Sequence, residues 1–409
     1  MKAIIYYGVG DIRCEDVDEP EIEQPTDAIV RITASAVCGT DLHMARGTLG
    51  VMKEGTILGH EGVGIIEALG PQVRNFRVGD RVMITPTISC GFCSYCRAGY
   101  YAQCDNANPK GKLSGTAFFG GPESSGPFHG LQAERARIPF ASNCMVALPD
   151  AISDDQAVLI TDMFSTGYFG AEVAEVRDGD TVAVFGCGPV GLFSVISAKL
   201  QGAGRVFAVD NVKGRLEMAQ SHGAEIINFD EEDPVEVIRE LTGGIGVDRV
   251  IEAVGIDAQP PNKGPAKDNY SLYTSQFEQE SNQLPDSKIS EKKGWSPGHA
   301  PSLSLRWAVE AVDKAGTLGI VGVYPDAAHS FPIGMAIEKN LTINMGNCNH
   351  RKYFPHLIGL VESGVVDPLD ILTHIKPLTF APNVYKELDS RDNGWVKVEI
   401  VPGMTDKGQ

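Results

Sequence analysis

Three groups of residues in this chain have the types and spacing that chemistry requires. The stretch ISCGFCSYCRAGYYAQC, residues 88–104, puts Cys90, Cys93, Cys96 and Cys104 in one short loop. Four thiolates complete a tetrahedral zinc site and leave no position for water or substrate, so this group reads as structural. The second group is scattered. VCGTDLH supplies Cys38, Thr40, Asp41 and His43, and LGHEGVG supplies His60 and Glu61. A thiolate with an imidazole suits zinc, and a catalytic zinc needs three protein ligands and one open position. Taken singly, Cys38 reads as a small buried hydrophobe and His60 as a loop histidine; their meaning lies in their combination with the third group.

That third group is VAVFGCGPVGLFS, with Gly186-x-Gly188-x-x-Gly191 directly after a predicted strand and opening a predicted helix at Pro189 and Val190. Gly186 permits a tight turn, Gly188 lets backbone amides approach a pyrophosphate, and Gly191 lets helix and strand pack closely. The helix N-terminus offers its positive dipole end to the phosphates. The next strand ends in Asp210, 19 residues after Gly191, where a carboxylate accepts bonds from a ribose diol. An acid there repels a 2′-phosphate, which favours NAD over NADP. Arg215 either reaches the same ribose or is an exposed helix arginine.

The elements that must position these groups follow from texture. Residues 1 to about 160 hold short β-like runs broken by glycine and proline, such as AIVRIT, GVGIIEAL and DRVMIT, and predict a mainly β domain. From Gly179 onward the strands TVAVFG, RVFAVD, INF and VDRVIEAVG alternate with the helices PVGLFSVISAKLQGA, KGRLEMAQSHGA and VEVIRELTG. Such alternation means right-handed crossovers and a parallel sheet, an α/β fold. Residues 257–302 are polar and rich in Pro, Gly, Ser and Asn, and read as an irregular insert. After it, LSLRWAVEAVDKAG predicts a helix and TLGIVGVY a strand. The expected division is 1–163, 164–328 and 329–409, with the last part returning to the first domain.

Bulk properties narrow the partners. The 409 residues carry a formal net charge of -18, with no basic run, which disfavours nucleic acid and anionic membranes and favours a small molecule. No apolar run approaches the ~20 residues of a membrane span. The N-terminus MKAIIYYGVGDIRCED lacks a secretory pattern, and nine cysteines, an odd count with metal-like spacing, suit a reducing cytoplasm.

In order along the chain, C-G-T-D-x-H, G-H-E-x-x-G, the four-cysteine loop and V-x-G-x-G-x-V-G resemble the zinc-dependent medium-chain alcohol dehydrogenases. The resemblance implies a GroES-like catalytic domain with two zincs, a Rossmann domain with a doubly wound parallel sheet for NAD, and a homotetramer. It makes Cys38 and His60 ligands of the catalytic zinc. The third ligand position falls in LITDMFSTGYFGAE and is held by Asp162, where many members have cysteine; the other reading of Asp162 is a helix N-cap. Aspartate there, with a long insert later, resembles the branch of glutathione-independent formaldehyde dehydrogenase and formaldehyde dismutase, in which the insert covers the adenine side of NAD and slows its release.

Further roles come with the resemblance. Glu61 is an outer or transient fourth ligand, and Asp41 orients the zinc-binding histidine. Thr40 receives the alcohol proton, and His43 stands at the outer end of the relay. Val254, Gly255 and Val323 line the nicotinamide pocket. Thr166 and Gly167 either lie near the nicotinamide or only start a helix. Lys397 either pairs with the pyrophosphate or is a solvated lysine. Cys14, Cys144, Cys187 and Cys348 have no ligand spacing and read as buried thiols. The implied activity is hydride transfer between an alcohol, or a hydrated aldehyde, and NAD. Retained NAD with aldehyde dismutation is the alternative within the family, and a zinc-binding regulatory protein the rival from another class.

Overall fold

Residues 1–284, 287–391 and 394–405 are described by the structure, a computed structural model of the chain. They form two units: Met1–Ser165 with Asn347–Ser390 and Lys397–Gln409, and Thr166–Gly346 with Arg391–Val396.

The first unit is built around strand Ala28–Val37. It pairs antiparallel with Gly62–Leu69, with Arg135–Ile138 and with the last strand of the chain, Lys397–Val401. The sheet runs from Leu372–Pro377 at one edge to Met145–Ala147 at the other, and a smaller sheet joins Asp11–Asp16, Lys2–Gly8 and Thr56–Ile57. The register Val398↔Val37 is the consequential one, because it brings the end of the chain beside the residue preceding Cys38.

The second unit holds a six-stranded sheet in the order Glu225–Asn228, Arg205–Asp210, Thr181–Phe185, Val247–Glu252, Val312–Ile320, Thr342–Met345. Every pairing in it is parallel. The order reverses at Thr181–Phe185, the strand that feeds the glycine fingerprint, as it does at the ligand-binding switch point of doubly wound sheets.

Three expectations are corrected. The second unit runs on to 346 rather than ending at 328, because Thr342–Met345 adds to Val312–Ile320 as the last parallel strand. The insert is not irregular: it contains helices Pro265–Ser271, Thr274–Gln283 and Ser287–Lys292. Pro265 stands at the first helical position, where its missing N–H costs nothing. Phe277 is fully buried and stacks on Tyr270 at 5.2 Å between ring centroids, so sparse aromatic anchors hold a segment whose average composition is polar. Positions 285 and 286 of the insert lie outside the described residues.

The third concerns LSLRWAVEAVDKAG, where the helix covers only Leu303–Ala311 and Val312 already begins a strand. Val312 has ψ 143°, extended backbone, and pairs with Val247 in the sheet, so the helix ends at Ala311; Ala315, with φ 58°, is also outside helical backbone. Lys339 Nζ donates to the carbonyls of Val309, Glu310 and Val312, satisfying the acceptors that the ended helix leaves open.

Glu399, in the strand Lys397–Val401, is 1% exposed; burial and then the charges of Asp155 and Asp154 push its carboxyl up to about 8. A carboxyl that holds its proton more tightly folded than unfolded favours folding at low pH. That contribution is withdrawn as pH rises through the folded value. Glu399→Gln is therefore expected to flatten the fall in melting temperature between about pH 5 and about pH 9. Parallel pH profiles for the two proteins would refute this.

Candidate active site

The scattered donors meet inside the first unit. Cys38, His60, Glu61 and Asp162 each present a ligand atom, and these atoms all lie within 4.8 Å of one another, with all four residues buried. Each is delivered by a different device. Cys38 is the N-cap of helix Gly39–Arg46: its Sγ accepts the Thr40 N–H at 3.4 Å, and Asp41 Oδ2 accepts the Cys38 N–H at 3.0 Å. The buried Arg46–Asp389 ion pair, 2.7 Å, ties this helix to Ala381–Ser390. Gly59, preceding His60, has φ 91°, and a Cβ there would sit 2.4 Å from Gln132 Cγ, so glycine is required.

Asp162 rides on a π-helical turn, Ile160–Phe164, between helices Asp154–Leu159 and Ser165–Val173. It is not an N-cap; Ser153 caps this helical run through a capping box with Gln156. A π-turn inserts an extra residue and re-aims the side chain it carries, which is why such turns recur at functional sites.

The chemistry of this set suits a cation. Burial, then the charge of Asp162, pushes the Cys38 thiol up to about 11. Burial works against a charged His60, yet Asp41, Cys38 and Asp162 together hold its imidazole well above the usual histidine range. Burial likewise opposes a charged Asp162, and bonds from His350 and His60 bring it well below the usual carboxylate range. Sulfur, nitrogen and oxygen donors clustered out of water, competing for the one proton-bearing ring among them, match zinc's ligand preferences.

Around the donors stand their own partners. Asp41 Oδ1 lies 3.1 Å from His60 Nδ1, leaving Nε2 to face the cluster, 3.4 Å from Asp162 Oδ2. The Phe118 ring meets His60 edge-on at 6.2 Å. Gln132 Nε2 donates to Ala36 O at 3.0 Å and to Asp41 Oδ2 at 3.4 Å, and Tyr385 donates to Gln132 Oε1 at 2.8 Å. Thr40 and His43 are three residues apart on the helix, one turn from each other; Thr48 Oγ1 lies 3.5 Å from His43 Nδ1, and His43 is buried rather than at an open surface.

Lys397 is the clearest correction. It is neither solvated nor offered to a pyrophosphate: it is fully buried, with Nζ 2.5 and 2.7 Å from the two Glu61 oxygens and 3.1 Å from Val37 O. The register Val398↔Val37 puts it there. Even so paired, Glu61 is pushed up to about 7, burial outweighing the lysine.

The four-cysteine loop closes on itself. Cys90, Cys93, Cys96 and Cys104 offer sulfurs within 4.8 Å of one another, and Cys90 and Cys96 Sγ stand 4.0 Å apart. Backbone N–H groups of Phe92 and Cys93 point at Cys90 Sγ, that of Cys96 at Cys93 Sγ, and that of Cys90 at Cys104 Sγ. All nine cysteines are free thiols. Phe92, Tyr95 and Tyr100 are exposed around the loop.

In the second unit the fingerprint has the geometry its spacing suggests. Gly186 has φ 89°, and a Cβ on Gly191 would lie 1.7 Å from Gly186 O, which admits no other residue. A Cβ on Gly188 would meet nothing within 4 Å, so close approach is left open over that turn, where Pro189 and Val190 start helix Pro189–Leu200. Asp210 is held by backbone: its oxygens accept from the N–H groups of Cys187, Asn211 and Val212 at 2.7, 2.8 and 2.9 Å. Arg215 Nη1 lies 3.9 Å from Asp210 Oδ2. Gly255 has φ 76° and packs on Val323, whose carbonyl accepts the Ile256 N–H, while Glu252 Oε1 accepts from Val254 and Gly255 N–H. Thr166 and Gly167 open this unit, with Gly167 tight against Phe193. A cavity of about 690 Å³ adjoins Asn211, Val212 and Lys213 and is walled by Gln259, Trp295 and Arg391.

Comparison with known proteins gives the family. Residues 24–150 match the alcohol dehydrogenase GroES-like domain and residues 189–260 the zinc-binding dehydrogenase family. A zinc-type alcohol dehydrogenase-like protein of Bacillus subtilis is 36% identical over 98% of this chain and 100% of its own. The chain belongs to the zinc-type medium-chain alcohol dehydrogenases. An alcohol dehydrogenase of Cupriavidus necator is another relative, 34% identical over 98% of this chain and 99% of its own. The solved alcohol dehydrogenase TADH from Thermus sp. ATN1 superposes with a TM-score of 0.77 at 32% identity, covering 98% of this chain and 100% of that one. No helix among the described residues is long and apolar enough to cross a membrane.

Sequence reasoning missed three members of this dehydrogenase's first unit. Only through folding does His350 reach Asp162, Gln132 reach Asp41 and Tyr385 reach Gln132, and nothing in their local spacing marks them. The nearest signal was a histidine in the returning segment, in GNCNHRKY.

Two substitutions separate the metal sets. Cys38→Ser is expected to leave about one zinc per chain and a folded protein without turnover. Cys90→Ser is expected to lower the melting temperature before it lowers activity per folded molecule. Metal analysis with thermal melts reads both; two zincs in Cys38→Ser would refute the first assignment.

Proposed function

We propose that this chain is an oxidoreductase that moves hydride between a small alcohol, or a hydrated aldehyde, and NAD. The observation that carries the reading is the buried convergence of Cys38, His60, Glu61 and Asp162 in a chain that also holds a complete Gly186, Gly188, Gly191 turn. Cys38, His60 and Asp162 would hold a catalytic zinc, and the cysteine loop a structural one. Bound there, zinc supplies a Lewis acid that makes an alcohol hydroxyl acidic, and NAD supplies the hydride acceptor.

The chain's own residues do the rest. Asp41 fixes the ring of His60 so that Nε2 faces the metal side. Lys397 holds Glu61 by both oxygens and so keeps it from crowding the fourth position. Thr40 Oγ1 takes the alcohol proton and His43 passes it on, since an imidazole carries one ring nitrogen that accepts a proton and another that donates one. In the second unit the Gly186–Gly191 turn and the N-terminus of Pro189–Leu200 hold the pyrophosphate. Asp210 takes the adenosine ribose with Arg215 beside it. Thr166, Val254, Gly255 and Val323 serve the nicotinamide end.

A second reading within the same chemistry is retained NAD, with aldehyde dismutation or glutathione-independent formaldehyde oxidation. Asp162 in the third ligand position supports it, as does the wall that the insert builds over the cavity next to Asn211 and Val212. A purely regulatory zinc protein leaves the second donor set without a task. Nine free thiols support a cytoplasmic setting. The exposed Ile333 and Ile337 of helix Ile333–Glu338, with exposed Met345 on the edge strand Thr342–Met345, support a homo-oligomer, in line with a tetramer.

The decisive assay is a panel of primary, secondary and aromatic alcohols and small aldehydes, with and without added NAD, reading nicotinamide absorbance and product alcohol. Turnover that requires added NAD supports the first reading; alcohol formed from aldehyde without it supports the second; neither, in zinc-replete protein, refutes both. Asp210→Gly is expected to weaken the preference for NAD over NADP by at least about tenfold, because it removes a like-charge juxtaposition with the 2′-phosphate, and an undiminished preference would remove Asp210 from the cofactor site.

A further inference from the structure

Asp162 has a partner that no motif contains. His350, the first residue of helix His350–Glu362, is 4% exposed, and its Nε2 lies 3.0 Å from Asp162 Oδ1. The other oxygen, Oδ2, is the one that faces His60 Nε2, at 3.4 Å. On the far side of the His350 ring, Thr87 Oγ1 stands 3.4 Å from Nδ1. Thr87 is itself buried, in the segment that follows strand Arg81–Ile84. The two oxygens of Asp162 thus have different neighbours: one a ring outside the donor set, the other the donor set itself.

From this geometry we propose that His350 is a positioning residue for the catalytic metal: it donates Nε2–H to Asp162 Oδ1 and leaves only Oδ2 to ligate. The inference rests on the reading of Asp162 as the third ligand. Its physical content is denticity. A carboxylate free on both oxygens swings and can bind a cation through two, which fills the position a substrate oxygen needs. A carboxylate with one oxygen committed to a buried ring binds through one and stays aimed. The need is sharper here than for a thiolate, which has a single donor atom and no such choice. The Thr87 hydroxyl donating to Nδ1 would keep the ring proton on Nε2, the tautomer this role requires. The π-turn under Asp162 sets where the carboxylate begins; His350 sets where it ends.

The test uses full-length protein and reads the metal as well as the reaction. His350→Leu removes the donor, His350→Gln keeps an N–H at similar reach, and Asp162→Asn tests the underlying reading. Zinc release to a chelator is followed with the four-cysteine zinc as internal control, and the catalytic site is refilled with Co2+ for its d–d spectrum. His350→Leu is expected to weaken catalytic-zinc retention about 10–100-fold, the usual cost of losing a ligand's outer partner. Its Co2+ bands should fall in intensity, as expected when a fifth donor oxygen joins. His350→Gln should restore both. Retention and Co2+ spectrum unchanged in His350→Leu, with Asp162→Asn losing the metal, would overturn this inference and spare the ligand assignment. Two firmly held zincs and an unchanged spectrum in Asp162→Asn would overturn the ligand assignment itself. Should His350→Leu not fold, Thr87→Val carries the test: faster zinc release supports the role, and an unchanged rate and spectrum refute it.

Discussion

The dry clustering of Cys38, His60, Glu61 and Asp162 is the constraint to which the first unit answers. A thiol, an imidazole and two carboxyls taken out of water together are each costly, and each is tolerable only with a compensating partner. Those partners come from remote parts of the chain. Asp41 backs His60, Lys397 grips Glu61, and His350 holds Asp162. Three elements far apart in sequence are thereby committed to one place, and the return of the chain after the second unit becomes a requirement of the site. Without residues 347–401, two of the four donors would stand without their partners.

The second unit answers a different constraint, which is steric. Gly191 sits where a Cβ would fall 1.7 Å from Gly186 O, and Gly186 itself has a left-handed backbone. The turn after Thr181–Phe185 can be this tight only with those residues. Its reward is an open approach over Gly188 and three backbone N–H groups gathered on Asp210. The carboxylate that sequence spacing assigns to a ribose is also the fastener of its own loop, and the two descriptions coexist.

Legibility followed locality. The four cysteines lie within 15 residues, counting from Cys90 to Cys104, and the three glycines within six, so spacing alone describes their geometry. Cys38, Asp41 and His60 were readable as a group because each stands in a short motif. The insert misled because its mean composition is polar, while a few side chains, Phe277, Tyr270 and Tyr273, carry its packing. The helix over 303–316 misled because Val312 pairs with Val247 in the sheet, which propensity does not anticipate.

By itself the sequence determined the donor types, the two metal sets, the glycine turn and the alternation that demands a parallel sheet, all properties carried by near neighbours along the chain. The three-dimensional packing alone sets which oxygen of Asp162 faces His60, that Lys397 belongs to Glu61 and not to a phosphate, and that His350 stands behind the buried donor cluster. Those facts depend on strand register and on where a π-turn aims one side chain. Register is a property of two segments, 360 residues apart in the case of Val37 and Lys397, and no local pattern encodes it.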